Sequence, residues 1–185
     1  MKQLEGQGIE EYYLEPAVFL NGKDACIGVA EAHKGIIRRN YDKEQITIFE
    51  DDIVFTHPES WKAYWKWAEE LPENWLIYSG GQYRTASGSK YKQPHSQNLN
   101  IARWTFGGAH WYTIRKGCYD SLLNCKEGDH FDVHMGQTGI QIFVPKLLPS
   151  RQIEKEFEGK AAWSERKNNY ANYPSLRKRH KYYTE

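Results

Sequence analysis

Apolar positions along this chain switch between two rhythms, and the switch points outline a mixed α/β domain. In GVAEAHKGIIRRN, Val29, Ala32, His33, Ile36 and Ile37 recur at helical spacing, which predicts a helix from Gly28 to Asn40. EQITIFEDDIVF, Glu44 to Phe55, behaves differently. Ile46, Thr47, Ile48 and Phe49 form a near-continuous run suited to a strand covered on both faces. It breaks at Glu50, Asp51 and Asp52, then resumes at Ile53, Val54 and Phe55. The helical rhythm returns in Trp61, Tyr64, Trp65, Ala68 and Leu71, with Thr56 as expected N-cap, Pro58 and Glu59 in the first turn, and Pro72 as the stop.

Trp75 to Tyr78 reads as a second strand closed by Gly80-Gly81. Gln82 to Asn100 is polar and reads as a long loop, of the kind that often binds ligand. Ala109 to Ile114 reads as a third strand, Lys116 to Asn124 as a helix, and Ile140 to Val144 as a fourth strand stopped by Pro145. Helices alternating with buried strands predict an α/β fold with a mostly parallel mixed sheet flanked by helices. No internal repeat is visible.

Composition narrows the class. The chain has 185 residues, 39% hydrophobic and 26% charged, which suits a folded domain rather than a disordered segment. No apolar run is long enough for a membrane span, and MKQLEGQGIEEYY is too polar for a secretory signal. Three cysteines without a CxxC argue against a disulfide or zinc framework. The expected location is the cytoplasm, with contact to a membrane surface as an option. Seven Trp, 13 Tyr and seven Phe supply faces for core packing or for stacking on sugars and bases.

Charge is uneven. Residues 163–185 carry Arg166, Lys167, Arg177, Lys178, Arg179 and Lys181 against Glu165 and Glu185, interleaved with Tyr170, Tyr173, Tyr182 and Tyr183. This sets a basic, Tyr-rich tail apart from a domain at 1–162. Its pattern suits a nucleic acid backbone, a membrane surface or a nucleotide phosphate, and equally a solvated tail.

The acidic triplet is the clearest chemical signal. If the strand continues through it, Glu50 and Asp52 share a face while Asp51 points away. Carboxylates so close repel unless a cation lies between them, and an all-oxygen set selects Mg²⁺ or Mn²⁺ over zinc. In open α/β sheets, ligands bind beyond the carboxyl ends of strands.

IFEDDIVF resembles the acidic segment of glycosyltransferase family 25, the lipooligosaccharide and collagen galactosyltransferase relatives. Other stretches follow in the family's order. GVAEAH keeps Gly28 and His33 of its G-C-x-x-S-H element, with Val29 for Cys and Ala32 for Ser. WLIYSGG, AHWYTIR with its following helix, His130-Phe-Asp132 and Pro149-Ser-Arg-Gln152 resemble four later elements. The resemblance covers roughly residues 14–152.

The resemblance implies a GT-A fold, a nucleotide-sugar donor such as a UDP-sugar, and Mn²⁺ or Mg²⁺ as cofactor. Asp52 would ligate the metal, with Glu50 and Asp51 orienting it. A late histidine would complete the set: His134 is the first choice, with His130 and His110 also available. Gly28, His33, Gly80, Gly81, Arg151 and Gln152 would line the donor pocket, and Asp132 would be the base of an inverting hexosyl transfer. Where the family opens with a strand and an Arg-rich turn, this chain has MKQLEGQGIEEYYLEPAVF. Either the pocket is built differently, or the version is shortened, or a partner chain or second copy supplies the strand.

The acceptor would be a glycan or lipid-linked glycan, or a modified nucleobase in DNA contacted through the tail. The competing expectation is a catalytically inactive GT-A-like domain that binds glycan, nucleotide or nucleic acid. A two-metal phosphoesterase is weaker, because one triplet supplies too few ligands.

Overall fold

A computed structural model describes residues 2–18, 25–81, 92–102 and 108–152, with backbone alone at 25, 26, 92, 151 and 152. The elements in order are α1 (Lys2–Glu5), α2 (Ala25–Arg39), β1 (Gln45–Phe49), β2 (Ile53–Phe55), α3 (Ser60–Ala68), β3 (Ile77–Ser79), β4 (Lys92–Pro94), β5 (Leu99–Ala102), β6 (Trp111–Arg115), a 3₁₀ turn (Lys116–Cys118), α4 (Tyr119–Leu123), α5 (Phe131–Gln137), β7 (Ile142–Pro145) and β8 (Ser150–Gln152). Among these, no helix is long and apolar enough to cross a membrane.

Six strands form one sheet in the order β1-β6-β3-β7-β5-β4, and β2 pairs with β8 in a separate ribbon. The domain is therefore mixed α/β, but the expected mostly parallel sheet is not found. Of the five pairings only β3 with β7 is parallel; β6 runs antiparallel to both β1 and β3, and β5 to both β7 and β4. Apolar runs report burial on both faces, and burial is indifferent to strand direction. Strands β1, β3 and β7 nonetheless point the same way. Their carboxyl ends share one edge with the start of β6.

Side-chain parity then sorts the sheet into two layers. Ile48, Tyr112, Ile114, Ile77, Ile142 and Val144 face α2, α4 and α5, joining Ala30, Ile37, Leu122, Phe131 and Met135 in one core cluster. Phe49, Trp111, Tyr78 and Phe143 face the other way and pack with Tyr64, Trp61 and Trp65 of α3 and with Ile53 and Phe55 of β2. Helix α3 starts at Ser60 rather than near Thr56, because Ser60 Oγ accepts from His57 N (3.1 Å) and Glu59 makes no side-chain cap. The Thr56 hydroxyl instead donates to Leu148 O (3.0 Å).

The polar stretch expected as a loop ends in structure: β4 and β5 occupy most of 92–102, while 82–91 lies outside the described residues. Glu70 secures the turn between β4 and β5, accepting from Asn98 N (3.0 Å), the Asn98 amide and the Ser96 hydroxyl. Those hydrogen bonds hold its carboxyl below the usual range.

Candidate functional site

The acidic triplet sits where β1 ends. Phe49 is the last paired residue, and Glu50 to Asp52 form the turn into β2, with Ile53 N donating to Glu50 O (3.3 Å). The strand alternation expected to point Glu50 and Asp52 one way and Asp51 the other does not apply inside a turn. Asp51 is exposed and Asp52 half-buried, its Oδ1 closed off from solvent.

Glu50 is fixed from behind by a buried relay. His33, 4% exposed on α2, faces Glu50 Oε1 through Nε2 (3.2 Å) and the Tyr112 hydroxyl through Nδ1 (2.6 Å). The ring lies flat on Phe131 of α5, centroids 4.8 Å apart, and stacks on Tyr112 at 5.7 Å. The relay holds the Glu50 carboxylate in one orientation, since neither ring nitrogen can turn without losing a partner. Burial and the Glu50 charge push the Tyr112 hydroxyl well above its ordinary range, so it serves as a hydrogen-bonding group and not as an acid at neutral pH.

His110 lies just before β6. The registers Phe49↔Trp111 and Ser79↔Tyr112, each continued by one or two residues, set Glu50, His110 and Gly81 in one row across the sheet edge. Glu50 N donates to His110 O (2.9 Å). A Cβ on Gly81 would stand 1.9 Å from His110 Nε2 and 2.6 Å from Ser150 Oγ; one on Gly80 would enter the Trp111 ring at 2.2 Å. These glycines are explained first by the rings that close on them. Gly28 is likewise a close-approach position, with Val18 O 2.1 Å from its would-be Cβ.

Asp132 lies in the first turn of α5, its Oδ2 accepting from Gly108 N (3.0 Å) and Oδ1 from Val133 N (2.7 Å). That places it two residues from His110 along the start of β6. His134 is elsewhere engaged, its Nε2 on Ser121 O of the 119–123 helix (2.9 Å). His130 precedes α5 in the N-cap position without a side-chain cap bond. Arg151 and Gln152 pair through their backbones with Val54 and Ile53. Residues 163–185 lie outside the described residues. Burial pushes the Cys118 thiol up to about 12, which keeps it protonated and unreactive at neutral pH.

Among the described residues, no group of three or more His, Cys, Asp or Glu is arranged to hold a metal ion. The side chains alone are not a cage. The all-oxygen donors of the turn still suit Mn²⁺ or Mg²⁺ shared with a substrate, since such ions commonly take one or two carboxylates and complete their shell with phosphates and water. Asp52 is the residue that would hold it.

Neither a scan against protein-family models nor a search of curated proteins finds a match to this chain. The likeness to glycosyltransferases rests on the motifs. Sequence reasoning missed Tyr112 and Ser150: Tyr112 reads as an ordinary strand aromatic, and only register brings it to His33.

Proposed function

We propose that this chain is a GT-A-like glycosyltransferase, moving a hexose from a nucleotide-sugar donor, a UDP-sugar by preference, to a hydroxyl acceptor. The observation that carries the reading is the acidic turn at the carboxyl end of β1, with Glu50 held by His33, itself bonded to Tyr112, and with Gly80-Gly81 at the carboxyl end of β3, one strand over from β1 across β6. This is the edge of an α/β sheet where ligands collect.

In this reading, Asp52 and its neighbours meet the donor's diphosphate end. A bound Mn²⁺ or Mg²⁺ would offset the charge that develops on the departing diphosphate. Asp132 accepts the proton of the acceptor hydroxyl as its oxygen bonds to the anomeric carbon and the bond to the diphosphate breaks. The backbone donors from Gly108 and Val133 keep the carboxylate in place, and each oxygen retains a lone pair for the incoming proton. His33 acts only through Glu50, as a positioning residue. The acceptor is a glycan or lipid-linked glycan, with a DNA nucleobase reached through the tail as the second class. A partner chain or second copy completing the fold belongs to the same proposal.

Thermal-shift assays with UDP, GDP, CMP and UDP-sugars, with and without Mn²⁺, test the reading on wild type and Asp52→Asn. A ligand at a hundred times its Kd adds about 2.7 kcal/mol, roughly 5–10 °C for a domain of this size. The expected result is a shift for one nucleotide that requires both Mn²⁺ and Asp52. A flat panel from a folded protein would leave the inactive, binding-only reading in its place.

A further inference from the structure

Among the described residues, the His110 ring makes no hydrogen bond that accounts for a histidine at this place. Its side chain is 1% exposed, and neither ring nitrogen has a hydrogen-bond partner among the described residues. Burying such groups unpaired is unfavourable, and native proteins tend to keep them where a ligand or water supplies the missing bond. Trp111 Nε1 and the Tyr119 hydroxyl also have no partner among the described residues, but each belongs to a large ring packed inside a hydrophobic cluster. A phenylalanine in place of His110 would fill the same space without stranding two polar atoms.

Its surroundings suggest what it meets. A neutral imidazole has one donor and one acceptor nitrogen. Burial lowers the affinity of His110 for a proton, against the opposing pull of Glu50, so the ring is neutral at pH 7. Ser150 Oγ and His110 Nε2 both lie against the point where a Gly81 Cβ would stand, Ser150 Oγ donating to Gly80 O (3.0 Å) and keeping its lone pairs to accept, and Glu50 neighbours His110 through the backbone, Glu50 N donating to His110 O (2.9 Å). An alcohol, a neutral imidazole and a carboxylate pair well with groups that both donate and accept. Hydroxyls on adjacent ring carbons do this; a bare anion would be repelled by the acidic turn.

We infer that His110, with Glu50 and Ser150 beside it, forms a hydroxyl-recognising subsite that grips the ring of a sugar at the edge between β1 and β3. The transferase reading above supplies only the choice of sugar as ligand; the orphaned imidazole stands without it. Gly81 is then required because any side chain there would displace the ring that reads the sugar.

The experiment uses the full chain with ring-¹⁵N-labelled histidine, and His110→Phe to assign the His110 signals. Glucose, galactose, mannose and N-acetylglucosamine are titrated without nucleotide. One of them should move the His110 nitrogen resonances saturably and leave the other histidines still. His110→Phe should melt at or above the wild-type temperature while binding that sugar on the order of tenfold more weakly, the scale of one or two lost hydrogen bonds. Two results would overturn the inference: no sugar moves the His110 signals, or His110→Phe melts several degrees lower, which would reveal a structural partner. A sugar response together with a flat nucleotide panel would keep this subsite and sink the transferase reading.

Discussion

On the α3 face of the sheet, aromatic rings pack directly against one another. Tyr64 stacks on Tyr78 at 4.1 Å, Trp111 lies 4.3 Å from Tyr64, and Phe49 and Phe55 close on Trp111 at 5.5 and 5.2 Å. The two tyrosines spend their hydroxyls inside the layer, Tyr64 donating to Tyr78 O (2.8 Å) and Tyr78 to Tyr64 O (3.0 Å). On the α2 and α5 face, the core is mostly aliphatic, with Tyr119 and Phe131 among it, and becomes polar at the strand ends, where Tyr112, His33, Glu50 and His110 are buried or half-buried. One face maximises burial, and the other gives some of it up to hold charged and polar groups at an edge. That division is expected when a rigid layer supports a site built of groups that are unfavourable to bury.

The sharpest way to break the comparison is to empty the aromatic face. Trp111→Ala removes a fully buried ring at the centre of that layer and should lower stability by about 3–5 kcal/mol in urea denaturation. A loss below about 1 kcal/mol would mean that the face is not the load-carrying one. Next comes the polar edge. Gly81→Ala forces a Cβ onto His110 and Ser150, an overpacking of about 1–3 kcal/mol. Adding His110→Ala should recover much of that loss, and additive effects in the double mutant would argue against the contact.

The smallest effect is the pH response. His110 is held below its ordinary pKa of 6.5 in the folded state by burial, so between that folded value and 6.5 the unfolded chain binds more protons. Stability is therefore complete above 6.5 and falls as the pH drops from there toward the folded value. The wild type should lose more melting temperature between pH 7.5 and 5.5 than His110→Phe does. Equal losses would place the sensitivity on other groups.

Much of the fold was legible because its signals are local. The apolar run of β1, the helical spacing from Gly28 to Asn40 and the strand ending at Pro145 are set by burial and backbone propensity within a few residues. The short elements were not: β2, β8 and β4 have three residues each, too few to show a period, and β2 and β8 find each other from almost 100 positions apart. The break in the β1 run and the three carboxylates marked the edge of the sheet, but not the turn that redirects them.

What the sequence determined by itself was the α/β class, the main elements and the acidic edge, because amphipathic period and charge act over short distances. Tertiary structure alone decided that β6 runs between β1 and β3 in the opposite direction. That register brings His110 level with Glu50 and Gly81, and Tyr112 within reach of His33. The order and direction of β6 arise from contacts between residues 33 to 70 positions apart, and no local pattern of hydrophobic residues encodes which neighbour a buried strand will choose.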